Sequence, residues 1–294
     1  MSSVFEIIEQ YAKSGNIIFG ICDADDLVGF DESILNIPFF KGSFTGRISP
    51  GAFLHGAKSV IVLGVKIETE PIFEGLNRIM AGSLSGVDYH KRLLNIAKEL
   101  TRKMLEEVNF NFKIQVDSGP LIERAFALKA GIGFIGKNNC VISSEFGSFF
   151  NIALIVTDIN IDSTAATANL SCKGCELCLR HCPTKALSKN NGFDYNKCIS
   201  YLTQKKGMLS EPEENSVGVS IYGCDLCQNV CPYNLPFILS SDRELQHRTL
   251  ERIISMDKKQ FFEKFEEASF FWRGYEVIRR NCLIALNNLQ RDDR

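Results

Sequence analysis

The first chemical feature of the sequence is a group of cysteines with short, regular spacings. Cys172, Cys175 and Cys178 are each separated by two residues, and Cys182 follows after three and precedes Pro183. Bacterial ferredoxins carry this run, in which three thiolates bind one 4Fe–4S cluster and the fourth binds a second cluster. A zinc site commonly uses two separated pairs of ligands, so the run favours iron–sulfur over zinc.

A second, shorter motif repeats the end of the first. Cys224, Cys227 and Cys231 precede Pro232, and Cys198 lies upstream and supplies a fourth thiolate. Two clusters need eight thiolates, and this part of the chain offers that number. The cysteine before proline is exchanged between the clusters, which predicts two ligand sets. Cluster one takes Cys172, Cys175, Cys178 and Cys231, and cluster two takes Cys182, Cys198, Cys224 and Cys227.

Length and composition describe an ordinary globular protein. The 294 residues suggest about two domains, and 45% hydrophobic with 23% charged residues excludes disorder as the main architecture. A net charge of −2 gives no sign of nucleic-acid binding. The polar start carries no secretory signal, and no apolar run reaches the ~20 residues of a membrane span. An odd count of 11 cysteines argues against a disulfide framework, so we expect a cytoplasmic protein without membrane contact.

The hydrophobic pattern predicts alternating helices and strands before the cysteine-rich part. Apolar runs predict strands at 17–22, 59–67, 112–116 and 149–157. Helical spacing covers 1–15, 88–108 and 121–130. This alternation implies an α/β layer fold.

The remaining sequence falls into three segments of different character. The stretch 161–170 is small and polar, and it is predicted to be a linker. The stretch 172–234 lacks a long apolar run, so metal rather than a core is expected to hold it. The stretch 244–289 predicts two or three helices, the last near 275–289.

Asp117 and a glycine-rich turn lie between the third predicted strand and the cysteines. Asp117 ends that strand, and Gly131, Gly133 and Gly136 follow the next helix. The glycine spacing has the form of a dinucleotide-binding fingerprint, but it follows a predicted helix, whereas that fingerprint follows a strand. It indicates a close backbone approach to a large flat cofactor or to another strand, or else a simple helix stop and turn.

Six strings along the chain together resemble one known family. In order they are GVDYHKRL, DSGPLIERAFALKAGIGFIGKN, GSFFNIALIVTD, CKGCELCLRHCPTKAL, CISYLT and YGCDLCQNVCPYN. As a set they resemble epoxyqueuosine reductase, the family that performs the last step of queuosine synthesis on tRNA. The resemblance extends over about residues 45–290.

The resemblance implies a cobalamin-dependent reductase with two 4Fe–4S clusters, related to the reductive dehalogenases. It implies a nitroreductase-like α/β domain at 1–165 that binds cobalamin and a ferredoxin-like domain at 166–240. A short, truncated HEAT-like helical tail at 241–294 follows. The family binds cobalamin base-off without a histidine ligand. This agrees with Leu93, which stands where the D-x-H-x-x-G motif of histidine-ligated sites has glycine.

The resemblance also assigns site residues. Asp117 matches the family's proton donor and is expected to lie against the cofactor. A carboxylic acid beside a large apolar macrocycle would have its pKa raised by desolvation. Further corrin contacts are expected at Lys137, Asn139 and Val141, after the glycine turn, and at Ser200 and Tyr201, beside cluster two.

The expected reaction is the reduction of epoxyqueuosine to queuosine in tRNA, using cob(I)alamin that the clusters generate. The expected partners are tRNA and a low-potential electron donor such as ferredoxin or flavodoxin, and the chain is expected to be a monomer. Because 241–294 has almost as many acidic as basic residues, two alternatives stay open. One is a related reductase acting on a small molecule or a corrinoid protein, and the other is a non-catalytic two-cluster electron carrier.

Overall fold

The computed structural model describes residues 3–29, 44–67, 71–164, 170–189, 192–234 and 242–291. Contacts between residues divide the chain into two compact units. The first unit consists of Met1–Ile67 and Tyr89–Cys175, and the second consists of Glu68–Asp88 and Glu176–Arg294. Each unit is described by itself below.

Helices and short strands alternate along the chain. The helices are α1 (Val4–Gly15), α2 (Phe44–Ile48), α3 (Pro50–Phe53), α4 (Leu76–Ile79), α5 (Tyr89–Leu105), α6 (Glu123–Lys129), α7 (Leu177–His181), α8 (Ile199–Leu202), α9 (Glu211–Val217), α10 (Leu226–Asn229), α11 (Arg243–Ile254), α12 (Lys258–Phe265) and α13 (Tyr275–Arg291). The strands are β1 (Ile17–Asp23), β2 (Ser59–Lys66), β3 (Phe112–Val116), β4 (Phe134–Ile135), β5 (Val141–Ile142), β6 (Phe150–Thr157), β7 (Leu187–Ser188) and β8 (Gly192–Phe193).

The first unit is built on an antiparallel sheet with the strand order β1-β2-β6-β3. The residues of β2 from Ser59 to Val65 are all buried. Burial on both faces explains why this strand is a continuous apolar run instead of an alternating one. The predicted strands and the mixed helix–sheet class are confirmed, whereas the antiparallel pairing could not be inferred from the runs.

Helices cover both faces of this sheet. α1 and α5 pack on the face that carries Ile61 and Leu63, and α6 packs through Phe126 on the face that carries Val60 and Val62. Burial of each such side chain contributes about 1.5–3 kcal/mol. Because β3 lies at the edge of the sheet, its last residue leads directly into an exposed turn.

The second unit has a separate core, rich in phenylalanine. Phe261, Phe265 and Phe270 are fully buried against α13 and against Ile79 of α4. The predicted helical stretch 244–289 is confirmed as α11, α12 and α13. Most buried apolar residues of the cysteine-rich stretch lie in two small clusters, while Ile221 and Tyr222 join the phenylalanine-rich core. The HEAT-like character of the tail stays a prediction.

The segment 68–88 belongs to the second unit although it interrupts the first in sequence. The backbone N–H of Ile221 donates to the carbonyl of Ile79 at 2.7 Å, and that of Ala81 donates to the carbonyl of Tyr222 at 3.0 Å. The division into 1–165, 166–240 and 241–294 therefore stays a prediction, and the structure groups 176–294 with 68–88.

The predicted linker at 161–170 is wrong for its first part. Thr164 pairs with Ile21 of β1 through its backbone N–H, at 3.0 Å, and its hydroxyl donates to the carbonyl of Ala130 at 2.8 Å. Residues 165–169 lie outside the described residues. In the described part of the chain, no helix is long and apolar enough to cross a membrane.

Candidate active site and iron–sulfur ligands

Asp117 follows β3 directly and has an unusual backbone conformation. Its φ is 55°, in the left-handed region that aspartate tolerates better than most residues, although at some cost. The backbone N–H of Ser118 donates to the carbonyl of Val116 at 2.6 Å. The chain therefore turns sharply where the edge strand ends, at the position predicted from the sequence.

Two side chains at the start of α5 contact the Asp117 carboxylate. The Tyr89 hydroxyl donates to Oδ2 at 3.1 Å, and Nε2 of His90 lies 3.3 Å from the same oxygen. The two rings stack with centroids 4.3 Å apart. The sequence predicts a helix over 88–108 but not this contact, because the contact depends on how α5 packs beside β3.

The Asp117 side chain is 60% exposed. The desolvation expected of this carboxyl is therefore not produced by the surrounding side chains. A titratable imidazole and a phenol beside the carboxylate make the group suited to receiving and passing on a proton.

Glu123 is a partly buried carboxyl that the sequence pattern does not reveal. It lies in the first turn of α6, and its Oε1 accepts the backbone N–H of Asp117 at 2.5 Å and Nε2 of Gln115 at 3.2 Å. Burial, followed by the nearby Asp117 charge, raises the pKa of Glu123 to about 8. The raised pKa favours the neutral carboxylic acid over the carboxylate. A glutamate at a helix start gives no sequence signal of such burial.

Gln115 closes the same turn from the side of β3. Its Nε2 donates to the carbonyl of Leu121 at 2.7 Å, and its Oε1 accepts the Leu121 N–H at 2.9 Å. A Cβ at Gly119 would collide with the Gln115 side chain. The turn 117–121 thus requires glycine at this position and a buried amide beneath it.

The raised pKa of Glu123 predicts a pH-dependent contribution to stability. The native state binds one more proton than the unfolded state between the ordinary pKa of 4.5 and about 8. The free energy of unfolding should therefore fall with rising pH in this window, by up to about 1.4 kcal/mol per pH unit. Glu123→Gln should remove this contribution, since glutamine does not titrate.

Denaturant titrations between pH 5 and pH 9 would measure the effect. Glu107→Gln, at an exposed glutamate of the same unit, serves as the matched control and should follow the parent. Equal pH slopes for Glu123→Gln and the parent would contradict a neutral Glu123.

The glycine-rich turn is explained by strand packing. A Cβ at Gly133 would collide with the backbone of Ile142, the partner of Phe134 in the β4–β5 hairpin. Of the alternatives that the sequence left open, close approach to another strand applies at Gly133. Gly131 has a φ of 76° and ends α6, so the helix stop applies there.

The loop after this turn is tied to the first cysteine motif. Lys137 donates from its Nζ to the carbonyl of Cys175 at 2.9 Å, and its backbone N–H lies 3.4 Å from Sγ of Cys172. Asn139 has a φ of 63°, and its carbonyl accepts Nη1 of Arg124 at 2.6 Å. Both residues lie in the part of the chain where corrin contacts are predicted, and those contacts stay predictions.

Two neighbours complete this loop. Val141 is 5% exposed and packs in the core beneath the sheet, so only its backbone is available for the predicted corrin contact. Nδ2 of Asn138 is buried and has no hydrogen-bond partner among the residues that the structure describes. Buried amides are normally paired, and such an orphaned donor is what a bound polar group would satisfy.

The ligands predicted for cluster two lie close together in the second unit. Burial, and also the neighbouring thiols of Cys198 and Cys182, raise the pKa of Cys224 to about 12. Cys227 packs against the same small apolar cluster as Cys182 and Cys198. Thiols from three separate stretches of chain are thus near one another, but in the described part of the chain no three His, Cys, Asp or Glu side chains are arranged to hold a metal ion. Their binding of one cluster stays a prediction.

Backbone N–H groups point at these sulfur atoms. Cys198 accepts hydrogen bonds from the backbone of Ser200 and Tyr201, and Cys224 accepts one from Leu226. Hydrogen bonds to the sulfurs are among the features that set the potential of a cluster, so this donor set fits an iron–sulfur site. Ser200 and Tyr201 lie beside the cluster-two ligands as predicted, whereas their corrin contact stays a prediction.

The ligands predicted for cluster one are divided between the units. Cys172 and Cys175 belong to the first unit, and Cys178 and Cys231 belong to the second. The backbone N–H of Cys175 donates to the carbonyl of Cys172 at 2.7 Å, which forms the expected tight turn. This ligand set stays a prediction.

Asp225, next to Cys224, is held by the interrupting segment. Its carboxylate accepts the backbone N–H of Ser83 at 2.9 Å and the Ser83 hydroxyl at 2.7 Å. Asp225 is 5% exposed, and a buried carboxyl requires such partners. The loop that carries Cys224 is thus fixed by a residue far upstream in sequence.

Comparison with protein families supports the iron–sulfur assignment. The family described as a 4Fe-4S double cluster binding domain matches residues 171–234, which include all eight predicted ligands. The fold and this segment together define an iron–sulfur oxidoreductase. The chain is 33% identical to the epoxyqueuosine reductase of Lactococcus garvieae (strain Lg2), and the match covers 98% of this chain and 88% of that protein. The chain therefore belongs to the epoxyqueuosine reductase family.

Solved structures of the family have the same fold. The epoxyqueuosine reductase from Streptococcus thermophilus is 32% identical, with a TM-score of 0.87 over 98% of this chain and 82% of that one. An epoxyqueuosine reductase solved with a tRNA-Tyr epoxyqueuosine-modified stem loop is 28% identical. Its TM-score is 0.84, over 98% of this chain and 83% of that one.

Proposed function

We propose that this protein reduces epoxyqueuosine to queuosine in tRNA, with cobalamin and two 4Fe–4S clusters as cofactors. The proposal rests on one observation above all. Asp117 is held at the end of β3 by Tyr89 and His90 in a chain that matches a family relative over 98% of its length. Conversion of the epoxide carbons to a double bond consumes two electrons and two protons and releases the oxygen as water.

The protein's part in this reaction is to position and protonate the substrate. The Asp117 carboxyl donates the proton to the departing oxygen, and general-acid help of this kind is worth about 10²–10⁴-fold in rate. His90 and Tyr89 keep the carboxyl oriented through Oδ2. The exposure of the carboxyl, 60%, makes it accessible to a substrate.

The residues of the first unit fit a cobalamin. When bound, this cofactor supplies a strongly reducing nucleophilic metal centre. The orphaned Nδ2 of Asn138 offers a buried donor to a polar group of the corrin, between Lys137 and Asn139. A base-off cofactor without a histidine ligand remains part of the proposal, since Leu93 stands where the D-x-H-x-x-G motif has glycine. Val141, Ser200 and Tyr201 remain in the proposed corrin contacts.

Electrons would enter through the two clusters. The proposed donor is a low-potential carrier such as ferredoxin or flavodoxin, since the clusters must be reduced before the cofactor. The eight cysteines lie in the segment that matches a double-cluster domain, which supports transfer between two clusters held in one small segment.

The test is anaerobic turnover of a defined tRNA. The protein, reconstituted with iron, sulfide and cobalamin, is incubated with a strong reductant and epoxyqueuosine-containing tRNA, and the nucleosides are measured by mass. We expect loss of one oxygen mass from the modified nucleoside, only when cobalamin is present.

The alternatives predict other outcomes. A corrin-retaining protein that leaves the tRNA unchanged would point to a small-molecule or corrinoid-protein reductase. A protein that takes up two clusters and no corrin would point to an electron carrier. Either result would overturn the proposal.

A further inference from the structure

The hydrogen bonds of the Asp117 side chain do not explain the backbone conformation of this residue. Tyr89 and His90 hold its carboxylate, but its backbone has a φ of 55°. A strained backbone of this kind persists only when the surrounding structure imposes it. The group that imposes it must therefore act on the main chain.

Glu123 contacts the main chain at this point. Its Oε1 accepts the backbone N–H of Asp117 at 2.5 Å, and the same oxygen accepts Nε2 of Gln115 at 3.2 Å. Gln115 in turn pairs twice with Leu121. These hydrogen bonds link the end of β3 to the start of α6 across the turn that carries Asp117.

We propose that Glu123 is a positioning residue that holds Asp117 in its working conformation through the Asp117 backbone N–H. This inference rests on the proposed function for the role of Asp117, but the contact itself belongs to the fold. Glu123 acts through Asp117, whose backbone N–H it accepts.

The charges around Glu123 explain why its neutral form suits this role. Gln115 of β3 and Asp117, just after that strand, lie close to the Glu123 carboxyl. His90 of α5 also acts on its charge, and Arg124 is the next residue in α6. An ionised Glu123 would repel the Asp117 carboxylate at close range. A neutral acid accepts the N–H without this repulsion, and a glutamine should do the same.

Two variants separate positioning from packing. Glu123→Gln keeps the acceptor, so turnover should stay within about threefold of the parent, as expected for retained hydrogen bonding. Glu123→Met keeps the bulk but loses the acceptor, and kcat should fall about 10–100-fold, consistent with a misplaced general acid. KM, iron content and cobalamin binding should change little, and Glu107→Met, at an exposed position, should behave as the parent.

A double variant tests whether the effect passes through Asp117. In an Asp117→Asn background, Glu123→Met should cost almost nothing further, because residues acting as a unit are not additive. Full additivity of the two losses would overturn the proposal. A loss of kcat in Glu123→Gln equal to that in Glu123→Met would overturn it as well.

Hydrogen exchange gives a reading that does not depend on catalysis. In the protein with its clusters but without tRNA, exchange in 116–121 should accelerate at least tenfold in Glu123→Met and stay near the parental rate in Glu123→Gln. Unchanged protection in Glu123→Met would refute the inference even if the parent reduces epoxyqueuosine. Lost protection together with an inactive parent would instead refute only the proposed function.

Discussion

Asp117→Asn should lower the rate of epoxyqueuosine reduction by about 10²–10⁴-fold, the usual worth of general-acid help. Asparagine has the same size, tolerates the left-handed conformation observed at φ 55°, and can still bond Tyr89 and His90. It cannot donate the proton. The measurement is the single-turnover rate under anaerobic conditions, with iron and cobalamin content determined on the same sample.

The matched control is Asp158→Asn. Asp158 also follows a strand of the same sheet and accepts the backbone N–H of Asn111 at 2.8 Å. It should leave the rate unchanged. A near-parental rate in Asp117→Asn would assign the proton to another residue or to water. An insoluble or corrin-free variant would show that Asp117 acts as a turn residue.

Removing one predicted ligand from each cluster should have the second largest effect. The parent should reconstitute with about eight irons and eight sulfides, as two 4Fe–4S clusters require. Cys198→Ser should remove only cluster two and Cys175→Ser only cluster one, so each variant should keep about four irons. Because the electron path is then broken, turnover should be lost in both.

Iron analysis and electron paramagnetic resonance of the reduced proteins would distinguish the clusters. Cys22→Ala is the control, since Cys22 is buried in the sheet unit and lies outside both motifs. It should keep both signals. A parent that takes up at most four irons, or zinc, would contradict the two-cluster assignment, and loss of both clusters in Cys198→Ser would contradict the separate ligand sets.

The sequence predicted the strands, the helices and the double-cluster segment best. β3 begins and ends at the predicted residues, because apolar Phe112, Ile114 and Val116 alternate with polar residues there, as is typical of a strand. Cysteine spacing is equally direct, since the geometry of a cluster fixes how many residues separate its ligands.

Contacts made between distant parts of the chain could not be predicted in this way. Glu123 and Gln115 are common polar residues, and only the turn at 117–121 brings their side chains into hydrogen-bonding contact. Tyr89 meets Asp117 because α5 packs beside the sheet. The antiparallel strand order has the same origin, since apolar runs carry no information about direction.

The segment 68–88 also bears on how the two-cluster part of the molecule can be inherited or exchanged. Ser83 satisfies the buried Asp225 carboxylate beside Cys224, and Ile79 pairs with the backbone of Ile221. A ferredoxin cassette transplanted at 176–234 alone would leave these groups without their native partners. The cysteine motifs are contiguous in sequence, yet the portable module is discontinuous. Any chimera that exchanges the electron-transfer part must carry the upstream segment with it.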